Sequence, residues 1–266
     1  RTFKSMRKLG QHFLKPGRTG SNIINKMLKA AELSKNDLVL EVGPGKGILT
    51  KVLLEKSGRV IAVEKDKRLA EYLKEKFKDD KNLEIIEGDI LKIQSRLGGT
   101  KLKNYKIVAN IPYYLTSRFL RTFLQDAKTR PEKMVLMVQK EVGERILAKP
   151  PHMNLLAISV QIYGRPKIIA QVSKKHFSPQ PKVDSAIILI DNISKNINIE
   201  RLNFWKIVKT GFSHKRKLLV NNLKSLNFKS PAKKGVFEKC GIKEKARAEN
   251  LSLENWRCLA EQSSLL

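Results

Sequence analysis

Asn110-Ile111-Pro112-Tyr113 is the segment of this chain best suited to chemistry. It closes a short apolar run, Lys106 to Ala109, that reads as a buried strand. The Asn110 side-chain oxygen can accept one N–H of an exocyclic amino group, and the Ile111 carbonyl before Pro112 can accept the other. Tyr113 can stack on the base that carries the amino group. Two acceptors on one amino nitrogen hold its lone pair toward an electrophile. By itself the segment fits equally a strand that ends in a proline turn with a buried tyrosine.

Three further features are spaced for a cofactor. Glu41-Val42-Gly43-Pro44-Gly45-Lys46-Gly47 lies between a predicted strand and a predicted helix. Glycines there let backbone approach a ligand at the carboxyl edge of a parallel sheet. The spacing is neither the dinucleotide G-x-G-x-x-G nor a Walker A loop. Glu64 ends the next strand, where it can accept from ribose hydroxyls; it also fits an acid at a helix start. Asp89 follows the third strand, where it can accept from an adenine amino group; it also fits an N-cap. In strand order, these features followed by Asn110 to Tyr113 describe an adenosine-bearing cofactor whose reactive end meets a second base. S-adenosyl-L-methionine fits better than NAD, because nothing suggests a pyrophosphate cradle.

The elements that must position these residues alternate. Strands are expected at 38–42, 59–64, 83–86, 106–110 and 133–138, with helices over 48–56, 68–78 and 117–125. Such alternation predicts a parallel sheet covered on both faces, a Rossmann-like α/β fold. Runs at 157–163, 167–172 and 183–190 lack helices between them and predict antiparallel strands at one edge. From about Ile199 the pattern is helical, with breaks near Gly211, Pro231 and Gly241. Two domains are expected, 1–192 and 193–266, the second small and all-α.

Composition narrows the partner. Against 54 Lys and Arg the 266 residues hold 25 Asp and Glu, a formal charge of +29. Such an excess repels itself and implies a polyanion, with nucleic acid favoured over a membrane surface. No long apolar span is visible. Cys240 and Cys258 lack zinc spacing and are too few for a disulfide framework, so a reduced, cytoplasmic protein is expected. The four histidines form no cluster, so no metal is expected. Arg1 to Ser5 have no apolar leader, so no secretory signal is expected.

With these residues in place, the chain resembles the ribosomal RNA adenine N6-dimethyltransferases. Carrying the resemblance are Gly10-Gln11-His12-Phe13-Leu14, the glycine turn, Glu64, Gly88-Asp89 and Asn110 to Tyr113. Gln139-Lys140-Glu141-Val142, Phe177 to Ser185 and Arg247-Ala248-Glu249-Asn250-Leu251-Ser252 complete it. The C-terminal signature points to the bacterial small-subunit branch, which dimethylates two adjacent adenosines in a hairpin loop near the 3′ end of 16S rRNA. The resemblance implies that His12 and Leu14 line the cofactor pocket and that Gly43 and Gly45 approach the methionine part. It further implies Glu64 on the ribose, Asp89 on the adenine, Asn110 between cofactor and target, and Phe177 as the aromatic wall opposite Tyr113. Two stretches depart from the family pattern. Lys15 to Gly20 reads as basic and flexible where relatives have an acidic step, and Pro150 to Asn154 replaces a Gly-Ser-Lys-x-Tyr-Gly stretch.

The expected substrate is 16S rRNA within an immature small ribosomal subunit, met by a monomer. Lys215, Arg216 and Lys217 are the leading RNA contacts, ahead of Arg145 with Lys149, Lys174 to His176, and Lys233 with Lys234. Other readings are a 23S rRNA methyltransferase of the macrolide-resistance type and a non-catalytic ribosome-assembly factor.

Overall fold

The computed structural model describes residues 12–94, 102–194, 203–226 and 230–264. Gly10, Gln11 and the helical onset near Ile199 lie outside the described residues, as do the side chains of Lys233 and Lys234. Two compact units emerge, residues 1–144 with 163–195, and residues 145–162 with 196–266. Residues 145–162, expected in the first domain, therefore group with the second unit.

In the first unit the strands are β1 (Phe13–Leu14), β2 (Leu38–Val42), β3 (Arg59–Glu64), β4 (Leu83–Glu87), β5 (Tyr105–Asn110), β6 (Lys133–Gln139), β7 (Arg165–Val172), β8 (Phe177–Ser178) and β9 (Ser185–Asp191). Seven form one sheet in the order β4-β3-β2-β5-β6-β9-β7. β2 to β6 pair in parallel, and β9 and β7 add antiparallel at the far edge. The expected α/β architecture is thus present. Strands buried on both faces explain the near-continuous apolar runs: all of Val60 to Glu64 in β3 is buried.

Helix α1 (Arg18–Ala31) covers one face. Its Ile23, Ile24, Met27 and Ala31 recur at helical spacing and pack with Val39, Val108 and Val135 of the sheet. The stretch Lys15 to Gly20, expected to be flexible, is ordered from Arg18 onward as the first turn of α1. Gly20 sits so close to the folded-back Lys15 carbonyl that a β-carbon there would lie 2.2 Å from its oxygen. Helices α2 (Ile48–Lys56) and α3 (Lys67–Lys76) complete the crossovers beside the site.

The second unit is helical among the described residues, with helices at Leu155–Gln161, Phe204–Gly211, Leu219–Asn222, Ser230–Lys239 and Leu253–Ser264. Two expectations are corrected here. The run 157–163 is helical rather than a strand through Gln161: Asn154 caps it by accepting from the Ala157 N–H, 3.0 Å. A short apolar run buried all round has the same periodicity in either state. Cys240 and Cys258 form a disulfide rather than free thiols. Two helices whose packing is invisible in the spacing bring their Cα atoms to 5.6 Å. Gly211 admits Trp256, which is fully buried. No described helix is long and apolar enough to cross a membrane.

Candidate active site

Strand order reverses at β2, whose neighbours are β3 and β5, and ligands of open α/β sheets bind at such a reversal. There the carboxyl ends of three strands deliver Gly43, Glu64 and Asn110. Gly43 and Gly45 adopt φ of +67° and +60°, the left-handed region open to glycine. Gly45 donates its N–H to Glu64 Oε2 at 3.1 Å, and Asp66 donates to Oε1 at 2.9 Å. Burial raises the Glu64 pKa, against the pull of these N–H groups.

A strap crosses the turn. β1 pairs antiparallel with β8, Leu14 opposite Phe177 and Phe13 opposite Ser178. His12 Nδ1 donates to the Pro179 carbonyl at 2.8 Å, which places a proton on that nitrogen. Asn110 Nδ2 donates to the His12 carbonyl at 3.0 Å. The Phe13 ring rests on Gly45, where a β-carbon would meet ring carbons at 2.4 and 2.7 Å.

Three cavities open around Gly43, which lines them all. In the first, His12, Phe13 and Asn110 meet Ile111, Pro112 and Tyr113. The His12 and Tyr113 rings lie 5.5 Å apart, tilted by 33°. Tyr113 is anchored by a 2.7 Å hydrogen bond to the Ser185 hydroxyl, and burial raises its pKa. The second cavity holds Leu14, Met27, Glu41, Lys46 and Asn110. The third, about 460 Å³, holds Glu64, Lys65, Gly88, Asp89, Ile90, Pro112 and Tyr114.

Asp89 accepts from Lys65 Nζ at 2.9 Å and from the Leu91 N–H at 3.1 Å. Burial pushes its pKa up, but these two donors outweigh burial and leave it below the ordinary value.

Most of the sequence-predicted residues thus converge. His12, Leu14, Gly43, Glu64, Asp89, Asn110, Ile111, Pro112 and Tyr113 line the three cavities, and Gly45 braces Glu64. Phe177 does not join them. It is 1% exposed and belongs to the core with Leu14, Ile23 and Ile24, because its pairing with β1 places it beneath the strap. The ring that meets Tyr113 in the cavity is His12. Lys215, Arg216 and Lys217 are exposed in the turn between helices Phe204–Gly211 and Leu219–Asn222 of the second unit. Lys217 there lines a hollow with Lys209, His214 and Lys224.

Sequence reasoning missed Glu41, Phe13, Lys65 and Tyr114 as cavity residues. Glu41 had a signal, an acid inside an apolar strand. It is 1% exposed, its Oε2 is buried without a hydrogen-bond partner, and burial pushes its pKa up to about 8. The nearby Thr50 hydroxyl opposes that rise and the Glu64 charge adds to it.

Known proteins agree with this arrangement. The family model described as ribosomal RNA adenine dimethylase matches residues 2–263. A Dehalococcoides mccartyi protein named ribosomal RNA small subunit methyltransferase A is 43% identical over 261 residues, covering 97% of this chain and 88% of its own. One of the same name from Clostridium botulinum is 38% identical over 264 residues, covering 97% and 94%. The solved dimethyladenosine transferase of Plasmodium falciparum superposes with a TM-score of 0.76 at 29% identity, over 93% of this chain and 96% of that one. The 23S rRNA methyltransferase ErmE shares the fold, with a TM-score of 0.74 at 24% identity over 94% and 98%. A match across nearly the whole chain, joined to this convergence of strand ends, shows that the chain belongs to the ribosomal RNA adenine dimethylase family.

Proposed function

We propose that this rRNA adenine dimethyltransferase takes its methyl groups from S-adenosyl-L-methionine and places them on N6 of two adjacent adenosines in a hairpin loop near the 3′ end of 16S rRNA. The observation that carries the reading is the meeting of three cavities at Gly43, with Asn110 on the wall of two of them.

The residues fit an adenosine-bearing cation. Glu41 turns an unpartnered buried carboxyl to the second cavity's wall, which suits the charged methionine end. Glu64 and Asp89 flank the third cavity, which suits ribose and adenine. When bound, the donor supplies a methyl group already activated on a sulfonium, so the protein's task is positioning.

Asn110 does this through a divided side chain. Its amide nitrogen is held by the His12 carbonyl, which leaves Oδ1 to accept from the target amino group. The Ile111 carbonyl accepts the second N–H. The N6 lone pair forms the bond to carbon while the carbon–sulfur bond breaks, and the N6 proton passes to solvent. Tyr113 stacks on the extruded base, worth about 1–3 kcal/mol against the few kcal/mol of unstacking.

The family of the chain and its relatives named for the small subunit support 16S rRNA over 23S rRNA as substrate. The charge of +29 supports a polyanionic particle, here the immature small subunit, met by a monomer in the cytoplasm. Labelled donor incubated with immature 30S particles, naked 16S rRNA and 23S rRNA, followed by mapping of the modified base, tests this. Label at two adjacent 16S adenosines is expected; label on 23S alone overturns it.

A further inference from the structure

Pro112 leads into a single turn of 3-10 helix, Tyr113–Leu115, closed by the Leu115 N–H on the Pro112 carbonyl at 2.9 Å. Two consecutive tyrosines on this turn line different cavities. Tyr113 lies with His12 and Asn110, and its hydroxyl is fixed by Ser185. Tyr114 lies with Glu64, Gly88, Asp89 and Ile90. Pro112 is the wall between, lining both. Tyr114 is 58% exposed, and no ring stacks on it among the described residues. An exposed ring at the mouth of a slot with apolar Val63 and Ile90 and a carboxylate on its edge has the makings of a purine site. The faces would take the flat ring and Asp89 its amino group, as an aromatic platform and an acceptor do for any adenine.

We infer that Tyr114 covers the adenine of the methyl donor, so that adjacent tyrosines serve two different adenines, Tyr113 the target and Tyr114 the cofactor. This rests on the methyl-donor reading above and adds a positioning residue to it. The hydroxyl is not required; the ring is. One short turn then carries the division of the site, and the rigid Pro112 keeps the two bases apart.

The test is calorimetric titration of the full chain with S-adenosylhomocysteine, which binds without turnover, in Tyr114→Ala and Tyr114→Phe. A lost stack of the usual strength weakens binding about tenfold in the alanine variant. The phenylalanine variant should stay within about twofold of the wild type, and 16S rRNA affinity should be unchanged in both. Cofactor affinity intact in Tyr114→Ala with rRNA affinity reduced would put the ring on the RNA side and overturn the inference. Equal losses in both variants would also overturn it, by assigning the effect to the hydroxyl. A wild-type protein that binds no S-adenosylhomocysteine sinks the donor reading itself, which separates the two failures.

Discussion

Asn110 Nδ2 donates to the carbonyl of His12 across 98 residues of sequence, at 3.0 Å. This bond ties the end of β5 to the strap that covers the glycine turn. It also decides which end of the Asn110 amide is left over, the acceptor rather than the donor.

That orientation makes Asn110→Ala the sharpest test of the site. The variant loses the acceptor for the target amino group and the tether on His12 together. Methyl transfer is expected to fall at least about a hundredfold, the scale of losing a well-placed polar group at a reacting centre. Affinity for 16S rRNA should change by no more than about twofold. Single-turnover transfer beside filter binding reads both, and near-normal turnover excludes the proposed role.

Gly45→Ala probes the packing beneath the strap. A β-carbon there meets the Phe13 ring at 2.4 Å and must adopt φ of +60°. The backbone strain costs about 1–2 kcal/mol, and Phe13 is forced to shift into the cavities it lines. A lower melting temperature with weaker S-adenosylhomocysteine binding is expected. A gain in stability would show that the turn tolerates a side chain.

Glu41 sets a pH dependence whose sign can be worked out. Its pKa is raised from 4.5 to about 8 by burial, so the folded protein favours the neutral acid. Its contribution to stability is fully present below about pH 4.5 and is lost as pH rises through about 8. The loss proceeds at up to about 1.4 kcal/mol per pH unit, in the direction of the state that binds fewer protons. Glu41→Gln removes the titration. Denaturant melts at pH 6 and pH 8.5 should show the variant gaining on the wild type as pH rises; parallel curves would mean that Glu41 is charged throughout.

The basic turn predicts a salt signature. Lys215, Arg216 and Lys217 replaced together by alanine should weaken 16S rRNA binding and flatten its dependence on salt. The log–log slope should shrink by roughly 0.7–0.9 for each phosphate that is no longer neutralised. Binding of S-adenosylhomocysteine should be unaffected. An unchanged slope removes this turn from the interface.

The Cys240–Cys258 disulfide closes a short loop of 18 residues in sequence separation. Loops of that size contribute about 3 kcal/mol by restricting the unfolded chain. Thiol titration under denaturing conditions should find no free thiol before reduction and two after it, and reduction should lower the melting temperature. Two free thiols in the native protein would disprove the bond.

Much of the site was legible because chain order and strand order coincide in a parallel α/β sheet. The residues that follow Val42, Val63 and Ala109 must fall at one edge, since parallel strands share their carboxyl ends. Period and punctuation therefore sufficed for Gly43, Glu64, Asp89 and Asn110. Phe177 was not legible. The prolines beside it suggested an exposed loop, but Pro181 is buried and β8 pairs with β1, across more than 160 residues that no local pattern spans. The helix Leu155–Gln161 was misread because full burial erases the distinction between the two periods.

By itself the amino-acid sequence determined the polyanionic partner, the fold class, the order of the strand-end residues and the family they resemble. Those follow from charge, local periodicity and motif spacing, which are properties of short segments. Only the tertiary structure decided that His12, rather than Phe177, meets Tyr113, that Tyr113 and Tyr114 line separate cavities, and that Cys240 finds Cys258. Each depends on the packing of elements distant in the chain or on the direction in which a single turn aims its side chains, and neither is encoded in spacing along the sequence.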